Sequence, residues 1–134
     1  MMITKQIWVN LGVEDVARSA EFYLALGIKP NGAATADLAS FLFAENNLVI
    51  HFFRKPKLAS AFGIHADQLS SGHEVMFSLS ANSAEEVYEW MRLAESAGGS
   101  VFREPSRDDD GFLYGGFADP DGHKFNVLLV EPVM

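Results

Sequence analysis

The stretch Gln6-Ile7-Trp8-Val9-Asn10-Leu11-Gly12-Val13-Glu14-Asp15-Val16-Ala17-Arg18-Ser19-Ala20-Glu21-Phe22-Tyr23-Leu24-Ala25-Leu26-Gly27 decides the architecture. Residues 6–13 read as a strand. Asp15 then caps a helix that carries Val16, Ala20, Tyr23 and Leu26 on one face, and Gly27 ends it. The same order returns later. Glu74 to Ser80 reads as a strand, and Ser83 with Glu86 forms a Ser-x-x-Glu capping box ahead of Val87, Trp90, Met91 and Ala94, closed by Gly98-Gly99. From Trp8 to Glu74 the offset is 74 − 8 = 66 positions.

Three strand-like segments follow each helix. Ile28 to Ala34, Leu38 to Phe43 and Leu48 to Arg54 come after the first, and Ser100 to Arg103, Phe112 to Ala118 and Lys124 to Val130 after the second. Ala44-Glu45-Asn46-Asn47 and Asp119-Pro120-Asp121-Gly122 supply equivalent turns between antiparallel partners. The chain therefore reads as βαβββ twice, an α+β protein. Residue identities are barely shared between the halves, and two copies fall short of the ~3 repeats a solenoid needs. The expectation is one domain of two modules, about 1–55 and 73–134, joined by a linker over 56–72. A connection of that length, with Lys55, Lys57, Phe62 and His65 in or beside it, reads as a lid or an intermodule segment.

Period-two alternation gives each strand residue a side. Ile7, Val9 and Leu11 oppose Trp8 and Asn10; Ile50 and Phe52 oppose Val49, His51 and Phe53. Val75, Phe77 and Leu79 oppose Glu74, Met76 and Ser78; Phe125, Val127 and Leu129 oppose Lys124, Asn126 and Leu128. One face is apolar and suits helix packing. The other mixes aromatic with isolated polar side chains, the lining expected of a ligand cavity.

Composition excludes several classes. Ten Lys and Arg against eighteen Asp and Glu give 10 − 18 = −8, a field that repels phosphate backbones and anionic lipid, so no nucleic-acid or membrane partner is expected. Cysteine is absent, which removes disulfides and thiolate chemistry and fits a reducing compartment. With no signal-peptide pattern at Met1-Met2-Ile3-Thr4-Lys5-Gln6, a cytoplasmic location is expected. The run Asp108-Asp109-Asp110-Gly111 reads as a solvated turn, since a hard-cation site needs oxygens converging from several directions.

Val13 to Tyr23 with Leu26-Gly27 resembles the opening of the glyoxalase/bleomycin-resistance/dioxygenase superfamily, and Phe117-Ala118-Asp119-Pro120-Asp121-Gly122-His123-Lys124-Phe125 resembles its closing hairpin. The resemblance implies the vicinal oxygen chelate fold, two βαβββ modules whose curled mixed sheets enclose a ligand cavity, and a homodimer. Members include metal-dependent lyases, isomerases, epimerases and dioxygenases, as well as metal-free drug-sequestering proteins. The resemblance also implies a metal site drawing on the first, fourth, fifth and eighth strands, here Trp8, His51, Glu74 and Asn126. Indole nitrogen only donates, so Trp8 cannot ligate, and an asparagine is a weak oxygen ligand. His51 and Glu74 remain, one short of a two-His-one-carboxylate face.

These readings converge on a protein that holds a small organic molecule in an aromatic-lined cavity with an incomplete metal site, by sequestration or metal-free catalysis. The alternative is a metal-dependent lyase resembling lactoylglutathione lyase, or an extradiol dioxygenase, with an unusual ligand set. Under the first reading His51 and Glu74 form an acid–base pair if there is turnover. Trp8, Asn10, Phe53, Met76, Tyr114 and Asn126 line the ligand, and no cofactor is expected. A divalent metal, if bound, would sit on His51 and Glu74.

Overall fold

A computed structural model describes residues 2–70 and 74–131. Residues 71–73, where the expected linker ends and the second module begins, and residues 132–134 lie outside the described residues. The chain divides into two compact units, Met1–Ser71 and Gly72–Met134.

In the first unit β1 (Trp8–Val13) leads through α1 (Val16–Ala25) to β2 (Lys29–Pro30), β3 (Leu38–Phe43) and β4 (Leu48–Arg54). The sheet runs β1-β4-β3-β2, with β1 parallel to β4 and the other pairs antiparallel. Asp15 caps α1 by accepting the N–H of Arg18 at 3.2 Å, satisfying one of the free donors of the first turn. The helix buries Val16, Ser19, Phe22 and Tyr23. Tyr23 stacks on Phe52, centroids 4.4 Å apart, and also meets Phe41 and Phe43. Ile50, Phe52, Ala39 and Phe41 complete this core, so the apolar side of the alternation is the helix side, as expected.

The second unit repeats the order: β5 (Phe77–Ala81), α3 (Ala84–Ser96), β6 (Ser100–Arg107), β7 (Leu113–Ala118) and β8 (Lys124–Leu129), with sheet order β5-β8-β7-β6. Ser83 accepts the N–H of Glu86 at 3.2 Å, while the Glu86 carboxylate takes the N–H of Asn82. α3 lies against β7 and β8, with its Val87, Met91 and Ala94 buried together with Phe117, Phe125 and Val127 of the sheet. Trp90 lies parallel to Phe117 at 6.3 Å. The Asp119 carboxylate is buried and accepts the N–H groups of Asp121 and His123, with His123 Nδ1 at 2.7 Å; the closing turn is built around it. Among the described residues no helix is long and apolar enough to cross a membrane.

Several boundaries differ from expectation. The fifth strand begins at Phe77, not Glu74: its parallel register sets Phe77 against Phe125, so residues 74 and 75 fall opposite the Gly122 turn, ahead of Lys124, the first residue of β8. The second strand shrinks to Lys29–Pro30, where Pro30 lacks an N–H and Gly32, at φ 83°, turns the chain. The sixth strand continues to Arg107, since an edge strand tolerates Pro105. The stretch read as a linker carries a helix, α2 (Lys55–Phe62), and a 3₁₀ turn over Ala66–Gln68. Pro56 suits the first turn of α2, and Gly63, at φ 77°, ends it.

Candidate functional site

The sheet face turned away from α1 carries Trp8, Asn10 and Gly12 from β1 beside Val49, His51 and Phe53 from β4, then Leu42, Ser40 and Leu38 from β3. Register opposes Asn10 to His51, and His51 in turn to Ser40. The Asn10 Oδ1 lies 3.2 Å from His51 Nδ1. A carboxamide oxygen only accepts, so Nδ1 carries the proton and the Nε2 lone pair is left to meet a ligand. Burial depresses the His51 pKa, keeping the ring neutral and accepting. Phe53 meets the same ring edge to face at 5.6 Å. On the far side Asn31 Nδ2 donates to Ser40 Oγ at 3.1 Å, extending a polar stripe across the strands.

Apolar side chains flank that stripe. Trp8 stands at one end, a large flat side chain that is 51 % exposed. At the other end α2 closes the face. A Cβ at Gly12 would sit 3.2 Å from Leu58 and 3.8 Å from Leu69, so the absence of a side chain lets these leucines approach β1. Sequence reasoning missed Leu58 and Leu69. The available signal was Pro56 ahead of Leu58-Ala59, a helix start buried in what read as a loop.

The structure therefore brings together Trp8, Asn10, His51 and Phe53. In the second unit Tyr114 and Asn126 share one face of the sheet. Glu74 and Met76 are exposed and precede β5, so strand alternation assigns neither of them a face. Asp108 directs its carboxylate to the N–H groups of Asp110 and Phe112 within its own turn. Among the described residues no three His, Cys, Asp or Glu side chains gather to hold a metal ion.

The family model for the glyoxalase/bleomycin resistance protein/dioxygenase superfamily matches residues 5–127. The chain belongs to this superfamily. Among solved structures, the hypothetical protein SA1046 from S. aureus is 30 % identical, with 96 % of each chain covered and a TM-score of 0.83. A glyoxalase-related enzyme from Fulvimarina pelagi is 25 % identical over 95 % of this chain and 89 % of its own, with a TM-score of 0.82. A lactoylglutathione lyase from Agrobacterium tumefaciens, 17 % identical over 95 % of this chain and 94 % of its own, shares the fold at a TM-score of 0.68. No curated protein matches in sequence. The paired βαβββ units are those of the vicinal oxygen chelate fold.

This superfamily member departs from the donor set a metal would need. At the strand positions that the family resemblance marks for ligands, Trp8 offers only an N–H, Asn126 an amide, and Glu74 falls outside its strand. His51 is the one imidazole, with Nδ1 engaged by Asn10. These residues do not fit the family's metal.

Proposed function

We propose that the protein binds a small organic molecule on the half-buried face of β1, β4 and β3 that turns away from α1, without a protein-held metal. The observation that carries this reading is the Asn10–His51 hydrogen bond, which sets a neutral, acceptor-ready imidazole on an otherwise largely apolar surface. Such a surface supports a ligand with one flat apolar part, against Trp8 and Phe53, and one N–H or O–H that donates to His51 Nε2. Superfamily membership supports small-molecule chemistry of this general kind. Both sequestration and catalysis in which His51 accepts a proton are served by the same arrangement.

A metabolite collection screened by thermal shift identifies ligands, since binding to the folded state raises its stability by mass action. With a ligand in hand, Trp8→Phe is expected to remove most of the fluorescence change, and Trp90→Phe, on the α3 packing face, to keep it. His51→Ala is expected to weaken binding by about tenfold, whereas Glu74→Gln leaves it within about twofold. Full affinity in both Trp8→Phe and His51→Ala would refute the reading.

A further inference from the structure

Phe102 and Arg103 lie on β6, the edge strand of the second sheet. Consecutive strand residues ordinarily point to opposite faces. Here the β6–β7 register slips between Val101 and Arg103, and again between Arg103 and Ser106. The first bulge turns both side chains to the face of Tyr114, Gly116 and Asn126. The Arg103 guanidinium carbon stands 4.0 Å from the centre of the Tyr114 ring, and the Phe102 ring covers Gly116 so closely that a Cβ there would meet it at 2.4 Å. Bulges of this kind re-aim side chains and gather beside functional sites.

Three features of this face are otherwise unexplained. Arg54, Arg92 and Arg107 each pair with a carboxylate, yet among the described residues none pairs with Arg103, in a chain of net charge −8. The Arg103 Nε is buried with no acceptor, and its guanidinium reaches only the Ser106 carbonyl, at 3.5 Å. The Asn126 Oδ1 is likewise buried with no donor. Register sets these atoms in one row: Arg103 opposes Gly116, and Gly116 opposes Asn126. Lys124 lies two residues before Asn126 on the same face, its Nζ 5.8 Å from the Phe102 ring centre. Buried polar groups find partners in nearly all structures, so a donor and an acceptor left open in one row point to an occupant that supplies the complement.

We infer that the row Arg103–Gly116–Asn126, roofed by Phe102, is a binding subsite for a small organic carboxylate that also bears an N–H or O–H donor. The guanidinium fork matches a carboxylate, and stacking on Tyr114 holds it in orientation. Asn126 Oδ1 only accepts and so demands the donor. Gly116 supplies the floor between them. Phe102, 47 % exposed, is free to rotate off the glycine and lie against the ligand. Lys124 adds a second positive charge. Two strand spacings separate the Arg103 and Asn126 backbones by about 10 Å, the reach of one substituted ring or a short chain. The subsite rests on residues of the second unit alone and stands even if the His51 face binds nothing.

The test is a titration of the ¹⁵N-labelled protein with 4-hydroxybenzoate and, as a shorter acid, lactate, following the Arg103 Nε–H and the Asn126 side-chain amide. One of the two acids is expected to shift both signals saturably below about 10 mM. The uncharged amide of the effective acid (4-hydroxybenzamide or lactamide) and its donor-free ether (4-methoxybenzoate or 2-methoxypropanoate) should bind at least about tenfold more weakly than that acid, and Arg103→Gln should weaken it by a similar factor. The inference is overturned if neither acid moves the Nε–H, if the amide binds as well as the acid, or if inorganic phosphate moves Arg103 and no acid moves Asn126. Should Arg103→Gln fail to fold, the comparison of acid with amide on the unmodified protein decides.

Discussion

His51 joins a position on β4 to a measurable chemistry. Its pKa is lowered because burial disfavours the imidazolium, and the Asn10 oxygen holds the proton on Nδ1. An NMR titration of the His51 ring is expected to give a midpoint below the ordinary imidazole value of about 6.5. Between that midpoint and the ordinary value the unfolded chain binds more proton than the folded one, so this group makes stability rise with pH across the window and adds no slope above it. Asn10→Leu removes the acceptor, and the ring's nitrogen shifts should then move toward the Nε2–H form. An unchanged tautomer would separate His51 from Asn10. Asp119 is a purely structural counterpart in the second unit. Replacing it with Ala strands the N–H groups of Asp121 and His123, and urea unfolding should show a loss of about 2–3 kcal/mol.

At the scale of elements, Gly115 and Gly116 are neighbours in β7 with opposite demands. A Cβ at Gly115 would meet Met91 Sδ at 3.0 Å and Pro105 at 3.1 Å inside the α3 core, where overpacking costs about 1–3 kcal/mol. At Gly116 the obstacle is the far end of the half-exposed Phe102 ring, which turns aside. Gly115→Ala should therefore lower the midpoint of urea unfolding clearly more than Gly116→Ala; equal losses would mean that Phe102 is fixed. The same pair shows what was legible in the sequence. The βαβββ order, both helix caps and the faces of β1, β4 and β8 follow from period and punctuation, because local backbone chemistry sets them. The grouping of Trp8, Asn10, His51 and Phe53 follows from the same alternation. Arg103 was illegible because a bulge breaks the period of two, and α2 because eight residues give too few turns for a periodic signal. Glu74 and Met76 keep the alternation of a strand but precede its paired register, which only pairing reveals.

For the whole molecule, each unit protects one edge of its sheet by a device and leaves the other edge without it. The β2 edge is two residues long and contains Pro30, and the β6 edge is bulged and contains Pro105; both devices discourage pairing with another chain. The opposite edges, β1 and β5, carry neither device. Exposed apolar side chains stand just before each of them, Ile3 and Ile7 in the first unit, Val75 and Met76 in the second. Within each unit, a sheet edge without such a device beside exposed apolar residues is a feature that suits contact with a second copy. We propose a homodimer on this ground. Light scattering at micromolar concentration should give twice 14.7 kDa. Because each chain carries a net charge of −8, added salt should strengthen the association by screening the mutual repulsion. Ile7→Lys and Val75→Lys should each shift the equilibrium toward single chains, having placed a charge where an apolar contact is lost. The mass of one chain across that concentration range, at low and high salt alike, would remove the dimer.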